Sequence, residues 1–101
     1  MTEFEPAVER LVNRTSRWTP PRWAASSASG DGSHADVMYA LVQRVADLAA
    51  DAEGQSRRRV PRLDNALALP DQLRVMARDL AATGNQPAIE QATGLIRATD
   101  P

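Results

Sequence analysis

Ser33-His34-Ala35-Asp36-Val37-Met38-Tyr39-Ala40-Leu41-Val42-Gln43-Arg44-Val45-Ala46-Asp47-Leu48-Ala49-Ala50-Asp51-Ala52-Glu53-Gly54 is the stretch from which the fold is read. Its apolar residues recur every three or four positions, the helical period. At 100° per residue, Val37, Met38, Leu41, Val42, Val45, Leu48, Ala49 and Ala52 occupy an arc of about 140°. Tyr39, Ala46 and Ala50 widen that arc on one flank, and Arg44, Asp47 and Asp51 mark the wet face. Ser33 with Asp36 three positions on has the form of an N-terminal cap, and Gly54 is the residue type that ends helices in the left-handed conformation. A stripe this wide needs more than one neighbour, so a helix over 34–53 is expected at the centre of the domain.

Beyond Gly54 the chain reads Gln55 to Ala68 as a loop. It carries Arg57, Arg58, Arg59 and Arg62, and Pro61 blocks any continuing helix. Leu63, Leu67 and Leu69 are expected to dip into the core, with a short helical turn near 64–67. Pro70 then opens a helix to Thr83, because proline is well suited to a first helical turn, and Gly84 stops it. Leu69, Leu73, Met76, Ala77 and Leu80 share an arc of about 100° on that helix. After Asn85-Gln86-Pro87 a last helix is predicted over 87–98, burying Ala88, Ile89, Ala92, Leu95 and Ile96. The three or four residues between these two helices make them a hairpin.

On the N-terminal side a helix is predicted over 4–17, with Thr2 and Glu5 in capping-box spacing and Pro6 in the first turn. Phe4, Val8, Leu11, Val12, Thr15 and Trp18 fall within about 120°, opposite Arg10, Arg14 and Arg17. Trp18-Thr19-Pro20-Pro21-Arg22-Trp23 is expected to be extended, with polyproline character. Ala24 to Ser33 contains only Ala, Ser, Gly and Asp and reads as a flexible linker. The sequence thus predicts an all-α fold, a small four-helix bundle-like domain over 1–101. Its parts are an N-terminal helix (1–18), a Pro-rich segment and linker (19–33), and a three-helix core (34–101).

Composition narrows the chemistry. Of the 43% hydrophobic residues in this 101-residue chain, 18 residues are alanine, which contributes little area each, so the core is thin for the length. There is no cysteine and no lysine; all 12 basic residues are arginine. That excludes thiolate chemistry, disulfides, Schiff bases and the lysine of a phosphate-binding loop. A single histidine, His34, makes no multi-histidine zinc site, so no metal and no cofactor is expected. The net charge of −1 announces neither nucleic acid nor an anionic membrane. The longest apolar runs fall far short of a span, and the acidic start lacks the layout of a signal peptide, so the protein is expected to be cytoplasmic.

Few residues carry a functional signal. Trp18, Pro20, Pro21 and Trp23 form the most unusual local feature, and they read either as a rigid segment docking on a partner or as indoles covering a thin core. The four arginines of the loop are the phosphate-binding candidates. Against that reading, the segment from His34 to Gln55 offers four acids and one arginine as an intramolecular counter-surface. The 70–83 and 87–98 hairpin has the outline of a helix-turn-helix, yet Gln86, Glu90, Gln91, Thr93 and one cation, Arg97, make a poor recognition surface. Asp47 and Asp51 are one turn apart with no third ligand at matching spacing. Glu9, Arg10 and Arg14 are what a small all-helical enzyme would draw on, but no convergent set of titratable groups accompanies them, and no catalytic residue is assigned. The expectation is a non-catalytic helical interaction or regulatory module. A homodimer formed through the Tyr39 and Ala46 flank is its favoured partner arrangement, with an unidentified protein as the other partner considered. The alternative is a nucleic-acid-associated protein using Arg57, Arg58, Arg59 and Arg62.

Overall fold

The capping box at Ser33 starts the central helix. In the computed structural model, which describes all residues except Met1, Thr2, Ser29 and Asp31, the Asp36 N–H donates to Ser33 Oγ at 3.0 Å. The Ser33 N–H donates in return to the Asp36 carboxylate at 2.9 Å. Two of the orphan donors at the helix start are thereby satisfied. This helix, α3, runs His34–Ala52 and stops at Gly54, whose φ of 68° is the left-handed conformation that glycine adopts without a Cβ penalty.

Four long helices surround one core, as the apolar periodicity requires: α1 (Phe4–Thr15), α3, α4 (Leu69–Ala82) and α5 (Gln86–Ala98). A short helix, α2 (Pro20–Ala24), and a 3-10 turn at Ala66–Ala68 complete the order. α4 lies along α3, α1 packs on both α4 and α5, and α5 also touches α3. Among the described residues there is no β-strand, only an isolated bridge between Ser26 and Ser33. Phe4, Val8, Leu11 and Val12 of α1 meet Met38, Leu41, Val42 and Val45 of α3, Leu73 and Leu80 of α4, and Ile89 and Ile96 of α5 in one cluster. No helix of the described chain is long and apolar enough to cross a membrane.

The Trp18–Trp23 segment differs from the extended conformation expected of it. Thr19 is extended, but Pro20 and Pro21 are the first two residues of a helical turn, and the Trp23 N–H donates to the Thr19 carbonyl at 3.1 Å. The first helical positions have no intrahelical acceptor for their N–H groups, so prolines there remove nothing and fix φ favourably. The two prolines therefore start a helix rather than hold the segment extended. Ala24 to Ser33 does link the first two long helices, but its described residues are tied together. The Ser27 N–H donates to the Gly32 carbonyl at 2.8 Å and the His34 N–H to the Ala25 carbonyl at 2.9 Å. Thr2 of the expected N-terminal capping box lies outside the described residues, as do Ser29 and Asp31 of the linker; α1 begins directly after Glu3.

A second correction concerns the leucines after Pro61. Leu69 is buried, whereas Leu63 and Leu67 are 50% and 44% exposed. The residue that enters the core from this stretch is Val60. A leucine count says which side chains gain from burial, but the course of the backbone decides which of them reach the core.

Candidate interaction surface

Two constructions on the flanks of α3 decide what the predicted site residues can do. The first is an aromatic stack. Trp18, between α1 and α2, and Trp23 of α2 both turn inward, 8% and 1% exposed. Their rings are tilted at 4.8 Å between centroids, His34 meets Trp18 edge-on at 5.1 Å, and the Arg22 guanidinium lies 4.3 Å over the Trp18 ring. Pro20 and Pro21 stay exposed on the outer side of the turn. Both tryptophans thus add their area to the core of their own chain, the use that a thin core calls for. Trp23 Nε1 and His34 Nδ1 are buried without a hydrogen-bond partner among the described residues.

The second is a strap formed by 55–62, held against α3 by polar side chains. Gln43 accepts from the Val60 N–H at 2.8 Å and donates to the Arg58 carbonyl at 3.0 Å. The Tyr39 hydroxyl donates to the Val60 carbonyl at 2.6 Å. From α4, the Gln72 amide donates to the Pro61 carbonyl at 2.9 Å. This segment therefore engages Tyr39, whereas Ala46 lines an open cavity of about 380 Å³ between the strap, α3 and Met76 of α4. Tyr39 and Ala46 are half-buried and pack against the core, with Arg62 stacked 4.8 Å from the centre of the Tyr39 ring.

The strap divides the four arginines into two pairs. Arg57 grips Asp51 through two hydrogen bonds, at 3.0 and 2.7 Å, and Arg62 reaches Asp36 at 2.6 Å. The Arg57 guanidinium holds the Asp51 carboxyl below the usual carboxylate range, and Asp51 in turn raises Arg57. Asp36 is lowered as well, first by the Ser33 backbone N–H and then by Arg62. Arg58 and Arg59 are exposed, and their side chains make no ion pair among the described residues. A phosphate-binding footprint thus shrinks from four cations to two. Asp47 accepts from Gln43 at 2.9 Å, and among the described residues no group of three or more His, Asp or Glu side chains is placed to hold a metal ion. On α5, Arg97 is bound to Glu3 at 2.7 Å, so the single cation of the helix-turn-helix reading is also engaged.

Between the two constructions lies a cleft of about 380 Å³. Trp23 and Ala24 of α2, Ala35 at the start of α3, and Ala66 and Leu69 line it, while Arg62, Leu63 and Asp64 form one rim. Its lining is mixed, with Ser33 and Asn65 beside the apolar residues, Leu63 half exposed and charges of both signs around it. No sequence signal marks the cleft in advance, because it depends on α2 being helical and on Leu63 staying outside. The arginines and carboxylates of Arg10, Arg14, Arg97, Glu3 and Asp100 meet near α1 and α5 in exposed ion pairs rather than in an enclosed site. The chain matches no protein-family model, and no curated protein or solved structure shows a significant likeness to it.

Proposed function

We propose that this protein is a non-catalytic helical interaction module that binds another protein through the surface around Leu63. The observation that carries the reading is Leu63 itself. In a chain with few large apolar residues, most of which are buried, it stands 50% exposed on the rim of a cleft that Trp23, Ala35 and Leu69 also line. Burying a leucine on a partner gains about 1.5–3 kcal/mol, and the neighbouring Asp64 provides a polar contact at the rim, the usual layout of a small protein interface.

The engaged state of Arg57 and Arg62 speaks for this reading over the nucleic-acid one. Labelled single- and double-stranded oligonucleotides titrated at low salt separate the two. The module reading expects no binding that depends steeply on salt. Binding that falls steeply as salt rises, and disappears when Arg58 and Arg59 are replaced by glutamine, would replace it with phosphate recognition.

A further inference from the structure

The face of α4 turned away from the core has an order of side chains that suits one partner in particular. Taken at 100° per residue, Asp71, Val75, Arg78 and Ala82 fall within an arc of about 60°, and Leu67 stands just before the helix in the 3-10 turn. That arc lies opposite the buried stripe of Leu73, Ala77 and Leu80. Val75 is 50% exposed, and with Leu63 and Leu67 it completes the set of exposed large apolar side chains among the described residues. The charges beside it are largely uncommitted. Arg78 makes no ion pair among the described residues, and Asp71 has only a 3.8 Å approach from Arg74, whose guanidinium is already held by Glu9 at 3.2 Å.

We propose that a second copy of this chain docks antiparallel on the outer face of α4, about a two-fold axis passing next to Val75. Asp71 precedes Val75 by four residues and Arg78 follows it by three, so the arrangement is nearly symmetric in sequence and opposite in charge. An antiparallel pair of such helices brings Val75 against the Val75 of the other copy. It sets each Asp71 opposite the other copy's Arg78, so the complementary contact is made twice. At the end of the contact, Ala82 is a small exposed residue that lets the helices approach. A parallel pair would instead set Asp71 beside Asp71 and Arg78 beside Arg78, with the two helix dipoles aligned, and is repulsive throughout. This places the homodimer on α4 rather than on the Tyr39 and Ala46 flank expected from the sequence, where Tyr39 is already bonded to the strap. This contact is separate from the surface around Leu63, so either reading can fail while the other stands.

Sedimentation equilibrium over a range of concentrations tests it. The wild-type mass is expected to rise with concentration from 11.0 kDa towards twice that value. Asp71→Arg and Arg78→Asp are each expected to stay at the single-chain mass, because each sets like charges opposite one another at both contacts. An equimolar mixture of the two variants is expected to regain the double mass, since the reversed position of each copy then faces the reversed position of the other and both contacts again join opposite charges. The double variant D71R/R78D, which restores both contacts within one sequence, provides a second measurement should either single variant fold poorly. A wild type that remains at 11.0 kDa at every concentration overturns the proposal. So does a dimer that survives both single variants, which would place the contact elsewhere, or a mixture and double variant that both stay monomeric.

Discussion

The Tyr39 hydroxyl donates to the carbonyl of Val60 at 2.6 Å, and this bond joins residues 21 positions apart. With the Gln43 amide, which pairs with the N–H of the same Val60, it satisfies both backbone groups of the one strap residue whose side chain enters the core. The strap is thus anchored through its backbone by α3, while its arginine side chains remain at the surface.

Loss of these anchors is expected to loosen the strap before it unfolds the domain. Tyr39→Phe leaves the Val60 carbonyl without its donor and should lower stability by about 1–2 kcal/mol, read as a shift in the urea midpoint. Gln43→Ala removes the bonds to Val60 and to the Arg58 carbonyl together and is expected to speed tryptic cleavage at Arg58 and Arg59. Unchanged cleavage in Gln43→Ala would show that the strap is held by something other than these bonds.

The tryptophans are expected to behave unequally. Trp23 is nearly fully enclosed, so Trp23→Ala should cost about 3–5 kcal/mol. Trp18 shares its faces with Trp23, His34 and the Arg22 guanidinium and keeps an exposed edge, so Trp18→Ala should cost less. Chemical denaturation of the two variants orders them, and a larger loss at Trp18 would contradict the packing described.

What was legible in the sequence and what was not divides along physical lines. α3 could be read because its signals agree: a Ser33 cap, a wide apolar stripe and Gly54 as the stop. α4 and α5 could be read from Gly84 and from prolines placed at their starts. Pro20 and Pro21 were misleading because the same residue that breaks a helix interior begins a helix well, and the local sequence does not say which position it occupies. Burial of Val60 rather than Leu63 or Leu67 depends on Gln43, Tyr39 and Gln72 bonding to the backbone of a distant segment, and no periodicity encodes such bonds. The cleft inherits both difficulties.

Acid is expected to weaken the fold through Asp36 and Asp51. Both carboxyls are held below their ordinary value in the folded chain. Each therefore contributes stability that is fully present above the unfolded value of about 3.9 and is lost as pH falls through the lower folded value. Asp36→Asn and Asp51→Asn should each flatten the acid limb of a stability profile measured between about pH 6 and pH 2. An unchanged limb in the double variant would mean that neither pair persists in solution.

The claim that this chain works by protein contact around Leu63 is tested most directly by photo-crosslinking inside the source cell. A photoreactive amino acid is placed in turn at Leu63, at Leu67 and, as a control, at Arg44 on the exposed face of α3. The account predicts one discrete adduct heavier than 11.0 kDa from position 63 and none from position 44, while a two-chain adduct from position 67 belongs to the α4 contact. No adduct at Leu63, or the same adducts at Leu63 and Arg44, would contradict it.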